Sequence, residues 1–382
     1  MNIIMEGKAR FYASVADDGK ISKELDVFYN PVMKFNRDIS VLLLNSLDIA
    51  DMQIADIMAG SGVRSLRFLK ELKSEKIKNI TVNDHDPAFP GLFEKNLALN
   101  DISKLDKDKI IILSKDANIL LLESRGFDYI DVDPFGSPND FLESSISRLS
   151  RDGVLAVTAT DTAPLSGTYI AACVRKYWAK PMRNYMMHET GLRILIRKIQ
   201  LIGAQHDKAL IPLYSYFKDH YFRISFRCIK GKKSVDEVLV RSKYLLFCEK
   251  CLSLKVSEFN HEKCESCVSG EFMQYSGPLW TGELCDKNLS EDISKRNIEK
   301  ANNTFLEILE NESELNLVGF YDIHALCKHF KLDIPRQEIL MEKVSDKDYF
   351  VSRTHFCPTA IKTNMPVNEL VDLIRKLGDK RK

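Results

Sequence analysis

The stretch Ile54-Ala55-Asp56-Ile57-Met58-Ala59-Gly60-Ser61-Gly62 decides how this chain folds. A short apolar run ends at a glycine turn, and Val63 to Leu72 follows with helical spacing of its apolar residues. Strand, glycine turn and helix in that order make the first step of a parallel sheet with crossover helices. The same alternation continues outward: Asn79 to Asn83 as a strand, Leu92 to Leu99 as a helix, then strands at Lys109 to Leu113, Phe127 to Val132 and Gly153 to Thr158. Strands separated by helices of this length indicate an α/β fold, an open doubly wound sheet.

The ends of those strands carry the chemistry. Gly60 and Gly62 let a ligand approach the backbone closely, and the helix behind them offers free N–H groups at its N-terminus. The second strand ends in Asn83-Asp84-His85-Asp86, about twenty residues past the glycine turn, where a carboxylate suits a ribose diol. The third ends at Lys115-Asp116-Ala117, where a carboxylate can accept from an adenine amino group. The dinucleotide fingerprint is imperfect because Ser65 stands where it needs a third small residue. Together the three strand ends favour an adenosine-containing cofactor over solvated turns.

The fourth strand runs into Asp131-Val132-Asp133-Pro134-Phe135-Gly136-Ser137-Pro138, a turn made rigid by two prolines and a glycine. An amino group conjugated to a ring is a poor nucleophile because its lone pair is delocalised. If Asp133 and the Pro134 carbonyl accept its two N–H bonds, the lone pair is held toward an electrophilic methyl group, and Phe135 stacks on the ring. The bland alternative is a surface turn with a helix-capping aspartate.

Composition bounds these readings. The 382 residues are 45% hydrophobic and 29% charged, which describes a globular protein of two domains. No apolar stretch approaches the roughly 20 residues that span a bilayer; Val41 to Ala50, the longest, reads as a buried helix. The N-terminal MNIIMEGKAR lacks a signal segment, so a cytoplasmic protein is expected. The net charge of +1 demands that any nucleic-acid footprint be locally concentrated. Two clusters answer: Arg175, Lys176, Lys180, Arg183, Arg193, Arg197 and Lys198, then Lys218, Arg223, Arg227, Lys230, Lys232 and Lys233 interleaved with Tyr221, Phe222 and Phe226. Arg193 and Arg197, four apart, would share a helix face suited to phosphates. Lys380-Arg381-Lys382 adds a basic tail.

Past Thr160 the alternation fades. Ala171 to Ala204 reads as helical in parts, interrupted by Pro181, and His220 to Ile229 as a strand. Gly231-Lys232-Lys233-Ser234 reads as a polar linker or hairpin, which places a boundary near residue 235 between domains 1–235 and 236–382. Cys248-Glu-Lys-Cys251 and Cys264-Glu-Ser-Cys267, twelve residues apart, have the spacing of a structural Zn²⁺ site with four thiolates; His261 lies nearby. The other five cysteines are scattered, which argues against a disulfide framework. Asp292 to Leu377 is helix-rich. Tyr321 to Phe330 and Pro335 to Val344 read as helices and Tyr349 to Phe356 as a strand, an order like that of a winged helix, serving either to grip RNA or to brace the fold.

Several separated segments carry a family resemblance: Glu6-Gly7-Lys8-Ala9, Phe28-Tyr29-Asn30-Pro31 with Phe35-Asn36-Arg37-Asp38, the Gly60/Gly62 turn, Asp131 through Pro138, Ala159-Thr160-Asp161-Thr162, and Ser352-Arg353-Thr354-His355-Phe356. In these the chain resembles the tRNA (guanine-26) N2-dimethyltransferases of archaeal type, over nearly its whole length. The resemblance implies a class I (Rossmann-like) S-adenosylmethionine-dependent methyltransferase domain and a smaller α+β C-terminal domain with the zinc module. It implies one or two methyl transfers to N2 of guanine 26 of tRNA; the lack of an apolar span points to no membrane, and no obligate protein partner is inferred. By motif position Arg37, Arg67, Asp84, Asp116 and Ala117 look like cofactor contacts, with Arg64 one turn from Arg67 on the same helix. Asp133, Pro134 and Phe135 look like the catalytic turn, with Asp133 either a base or an orienting acceptor. Three rivals remain from the residues alone: an NAD-dependent dehydrogenase, for which Asp133-Pro134-Phe135-Gly136 has no role; the same fold acting on another amino substrate, such as an adenine or a protein side chain; and a non-catalytic RNA-binding protein built on the zinc module.

Overall fold

The computed structural model describes residues 2–13, 29–267, 270–297 and 302–379. Phe28 and the basic tail Lys380-Arg381-Lys382 lie outside the described residues. The chain divides into two compact units: Met1–Ala159 with Gln205–Ile211 and Ser225–Gly231, and Thr160–Ala204 with Pro212–Ile224 and Lys232–Lys382.

The first unit opens with a hairpin that the sequence reading did not register, β1 (Asn2–Glu6) paired antiparallel with β2 (Ala9–Ala13). Helix α1 (Lys34–Ser46) follows and buries Phe35, Ile39, Leu43 and Leu44. Then come β3 (Met52–Asp56), α2 (Val63–Glu71), β4 (Ile77–Asp84), α3 (Phe89–Ala98), β5 (Ile110–Ser114), β6 (Phe127–Val132) and β7 (Leu149–Ala159). The apolar run read from Ile54 is β3, whose Ile54 and Ala55 are fully buried because helices cover both faces of a parallel sheet.

A hairpin of β8 (Lys208–Lys218) and β9 (Tyr221–Lys230) completes a seven-stranded sheet in the order β5-β4-β3-β6-β7-β9-β8. The two residues between β8 and β9 force them antiparallel, whereas β3 pairs parallel with both β4 and β6, β4 with β5, and β6 with β7. From β3 the chain fills one side of the sheet with β4 and β5, then returns to the other side with β6. The order reverses between β3 and β6, and open α/β sheets bind ligands at the carboxyl ends of strands at such a switch point. Register brings Asp56 of β3 level with Asp131 of β6.

The second unit is α+β. Its long helix Met187–Gln205 buries Leu192, Ile194, Leu195, Ile196 and Ile199. One three-stranded sheet, in the order β11-β10-β12, is formed by β10 (Ser242–Phe247), β11 (Leu254–Ser257) and β12 (Gln274–Trp280). After helix Asn303–Ser313 come β13 (Tyr321–Asp322), helices Ile323–Phe330 and Gln337–Ser345, and the hairpin β14 (Val351–Thr354) and β15 (Cys357–Thr363), with sheet order β13-β15-β14. Helix, strand, two helices and a two-stranded wing is the order expected of a winged helix. β15 went unread because Pro358 stands in it. Gly231-Lys232-Lys233-Ser234 is no linker: helix Lys232–Leu239 begins inside it and buries Val235 and Val238.

Candidate methyl-transfer site and metal centre

Two glycines shape the turn after β3. Gly60 and Gly62 have φ of 55° and 76°, and a Cβ on Gly62 would lie 2.3 Å from the Phe93 ring, so both the backbone and the space exclude a side chain there. Gly62 caps α2 with no side-chain hydrogen bond, leaving the first amides of the helix to a ligand. Asp84 is tied to this turn: its Oδ2 accepts the Gly60 N–H at 2.8 Å and its Oδ1 the Asp86 N–H at 3.1 Å. At the end of β5, Asp116 Oδ1 caps the next helix by accepting from Asn118 and Ile119, so among the described residues Oδ2 is the oxygen left open; Ala117 is buried. Backbone amides and two carboxylates, each at its own strand end, are groups suited to an adenosine-bearing cofactor.

Arg37 and Arg67 meet at Glu6. Arg37 donates through Nε (2.7 Å) and Nη2 (2.6 Å) to the two oxygens of Glu6, and among the described residues its Nη1 takes no partner. Arg67 reaches Glu6 (3.1 Å), Asp38 (2.5 Å) and both oxygens of Glu71, which uses all three of its nitrogens. The Gly7 turn makes this possible, since a Cβ there would lie 2.3 Å from Glu71 Oε1. Burial raises the Glu6 carboxyl, but Arg37 and Arg67 outweigh it and hold the group below its usual range. Tyr29, donating to Glu6 at 2.9 Å, is pushed up to about 12 by burial and by that negative neighbour.

The fourth strand end is built around Arg64, which is buried on α2. Its Nη2 donates to Asp133 Oδ2, its Nη1 donates to Asn36 Oδ1 and Ser40 Oγ at 3.0 Å each, and Nη1 lies 3.4 Å from Asp131 Oδ2. Asp131 also accepts from the Tyr129 hydroxyl at 2.5 Å, and Asn36 donates to Thr158 at 3.2 Å. Asp56 sits behind them and accepts from Ser65 at 2.7 Å. Burial, with Asp131 and Asp133 nearby and Arg64 opposing, pushes the Asp56 carboxyl up to about 7. The Asp133 side chain is 22% exposed, Pro134 is buried, and Phe135 is 50% exposed at the tip of the turn. A carboxylate beside a half-exposed aromatic ring puts a hydrogen-bond acceptor next to a face on which a planar group can stack.

In the second unit Cys248, Cys251, Cys264 and Cys267 converge, their sulfurs all within 4.8 Å of one another. Cys248 and Cys267 are 3.8 Å apart, Cys251 and Cys264 3.6 Å. A tetrahedron of thiolates about 2.3 Å from zinc has edges of about 3.8 Å, so the donor set fits that ion. Burial raises Cys264, yet hydrogen bonding from Ser253 and the neighbouring thiols outweighs it and brings the thiol down to about 6. His261 is stacked on Phe272 at 3.8 Å and stands outside the sulfur cluster.

The sequence model of N2,N2-dimethylguanosine tRNA methyltransferases matches residues 7–375. The chain belongs to this family. Among its relatives, the tRNA (guanine(26)-N(2)/guanine(27)-N(2))-dimethyltransferase of Aquifex aeolicus is 36% identical over 99% of this chain and 96% of its own. The tRNA (guanine(26)-N(2))-dimethyltransferase of Methanosphaera stadtmanae is 36% identical over 98% and 96%. Among solved structures, the complex of Trm1 from Pyrococcus horikoshii with S-adenosyl-L-methionine superposes with a TM-score of 0.85 at 32% identity, over 98% of this chain and 100% of that one.

Within this dimethylguanosine methyltransferase the structure brings Gly60, Gly62 and Asp84 together at one strand edge, and places Arg37 and Arg67 around a shared carboxylate. Reading the sequence missed Arg64 as the partner of Asp133. Its position on α2, three residues from Arg67 and eight from Asp56, was the available signal. The basic clusters need correcting. Arg193 is 2% exposed and donates to Glu189 and to the carbonyls of Trp280, Gly282 and Leu317; Arg197 donates to Ser242; Lys198 packs on the Trp178 ring. Arg223, Tyr221, Phe222 and Phe226 are likewise buried. Arg175, Lys176 and Arg183 do reach the surface.

Proposed function

We infer that this chain is an S-adenosylmethionine-dependent methyltransferase that transfers one or two methyl groups to the exocyclic N2 of guanine 26 of tRNA. The observation that carries the reading is the Asp133-Pro134-Phe135 turn: a carboxylate held by Arg64 with its other oxygen open among the described residues, beside an exposed ring. The cofactor, when bound, supplies an electrophilic methyl group on a sulfonium. Arg37, Gly60, Gly62, Asp84, Asp116 and Ala117 hold it, and Arg67 belongs to the same end through the Glu6 carboxylate it shares with Arg37. Asp133 and the Pro134 carbonyl accept the N–H bonds of guanine N2, turning its lone pair toward the methyl, while Phe135 stacks on the base.

Residues 1–235 carry this chemistry, and 236–382 form the family-specific domain that contacts tRNA. Zn²⁺ held by Cys248, Cys251, Cys264 and Cys267 is structural, because four thiolates leave no open position. Arg175 and Arg183, in the segment that also exposes Tyr169 (62%) and Trp178 (47%), meet the phosphate backbone, since extracting a guanine from folded tRNA takes a few kcal/mol that backbone contacts must offset. Among the described residues no helix is long and apolar enough to cross a membrane. A cytoplasmic site of action follows from the tRNA substrate.

The test is transfer of labelled methyl from S-adenosylmethionine to unmodified tRNA transcripts with guanine or adenine at position 26, followed by nucleoside analysis. N2-methylated guanosine that disappears with adenine 26 supports the reading. Label that persists in that transcript and maps to guanine 27 moves the target, and no label in either overturns the reading.

A further inference from the structure

We propose that Arg64 is a positioning residue for methyl transfer, acting through Asp133 to leave one carboxylate oxygen as the acceptor for guanine N2. The proposal rests on the functional reading above and adds to it which side chain orients the amine. The Arg64 side chain is 5% exposed, and its guanidinium is fixed on both sides. On one side Asn36 and Ser40 of α1 accept from Nη1; on the other, Asp133 Oδ2 accepts from Nη2. Asn36 is itself fixed by Thr158, so the brace joins α1, α2 and the ends of β6 and β7. Arginine suits the task because its planar fork fixes direction as well as charge, which an ammonium does not.

The consequence lies in the oxygens. Oδ2 of Asp133 is committed to Arg64, and among the described residues Oδ1 accepts no hydrogen bond. A carboxylate free to turn about its terminal torsion offers either oxygen over a wide range of angles. One anchored through Oδ2 offers Oδ1 alone, in one direction. In the first transfer, guanine N2 has two N–H groups and two acceptors, Asp133 Oδ1 and the Pro134 carbonyl. Its lone pair forms the N–C bond as the C–S bond breaks, the electron pair of that bond staying on sulfur, and one proton leaves N2 by way of Oδ1 to water. The product keeps a single N–H. The second transfer therefore depends on one hydrogen bond, and loosening Asp133 impairs it more than the first.

The experiment compares wild type with Arg64→Lys, Arg64→Gln and Ser40→Ala. Folding is checked by thermal melting, initial rates are measured against both substrates, and N2-methylguanosine is resolved from N2,N2-dimethylguanosine. The expected result is a fall in kcat of about a hundredfold for Arg64→Gln, with partial recovery in Arg64→Lys. KM for the cofactor stays within about twofold, and the monomethyl share of the product rises. Ser40→Ala, which removes one anchor of the guanidinium, moves the product ratio the same way by less. If KM for S-adenosylmethionine rises while kcat and product ratio hold, Arg64 is a cofactor contact and the proposal falls. It falls equally if folded Arg64→Gln keeps wild-type kcat and product ratio. Should both Arg64 variants fail to fold, an unchanged product ratio in Ser40→Ala overturns it. A wild type that methylates no guanine overturns the functional reading and this proposal together.

Discussion

Each unit contains a ring of buried ion pairs that includes an arginine, and the two rings differ in what they leave open. In the first unit, Arg64 faces Asp131 and Asp133, and the Asp133 side chain keeps 22% of its surface. In the second, Glu189 takes Arg193, Lys362 and the Gly319 N–H on a single oxygen, and neither Glu189 nor Lys362 is more than 1% exposed. Glu312 joins that ring with Lys362 and with His355 at 2.6 Å; burial raises its carboxyl, but His355 and Lys362 outweigh it and hold it well below the usual range. Each ring has a carboxylate oxygen that takes no partner among the described residues, Oδ1 of Asp133 and the buried Oε2 of Glu189. An unused acceptor acts as chemistry where a substrate can reach it, and as part of a brace where none can.

The contrast breaks most sharply at Asp133. Asp133→Ala should lower kcat on the order of a thousandfold while calorimetry shows cofactor affinity unchanged. Equal losses of kcat and cofactor affinity would make the turn a scaffold instead. Arg193→Met should do the reverse, costing about 3 kcal/mol in denaturant unfolding because Glu189 loses a buried partner, with kcat per folded molecule near wild type. At the four-cysteine cluster, mass spectrometry should find about one zinc per chain, absent from Cys264→Ser together with a lower melting midpoint. Arg175→Glu with Arg183→Glu should raise KM for tRNA about tenfold and flatten its salt dependence, leaving KM for the cofactor alone.

Asp56 gives an effect that only a pH series reads. Its folded carboxyl lies at about 7, above its ordinary value of 3.8, so protonation favours the folded state. Its stabilising contribution is complete below about pH 4 and is lost as pH rises through about 7. The melting midpoint of Asp56→Asn should therefore gain on wild type as pH rises from 4 to 8, and parallel curves would show that Arg64 keeps Asp56 charged.

Much of the first unit was legible because its signals are local. The Gly60/Gly62 turn, the strand tips at Asp84 and Asp116 and the proline-bounded turn at Asp133 are each read within a few residues. Arg64 was not, because a basic residue on an amphipathic helix looks the same whether it meets solvent, cofactor or a carboxylate that β6 delivers sixty-nine residues later. The basic clusters misled for the related reason that counting charges does not register burial: Arg193 and Arg223 are among the largest fully buried side chains. Lys232–Leu239 hid its helix behind a Gly-Lys-Lys-Ser start that a polar turn shares.

The path of the chain has a consequence for biosynthesis. Segments Gln205–Ile211 and Ser225–Gly231 return to the first unit after the chain has left it, and they carry parts of β8 and β9. The nascent sheet thus keeps β7 as an open edge until residue 231 has emerged from the ribosome, an edge available for mispairing throughout that interval. A fragment ending at residue 235 would inherit the opposite fault. It would close the sheet yet leave the buried Arg193 and Glu189 without the carbonyls of Trp280, Gly282 and Leu317, the Gly319 N–H and Lys362, which satisfy them in the full chain.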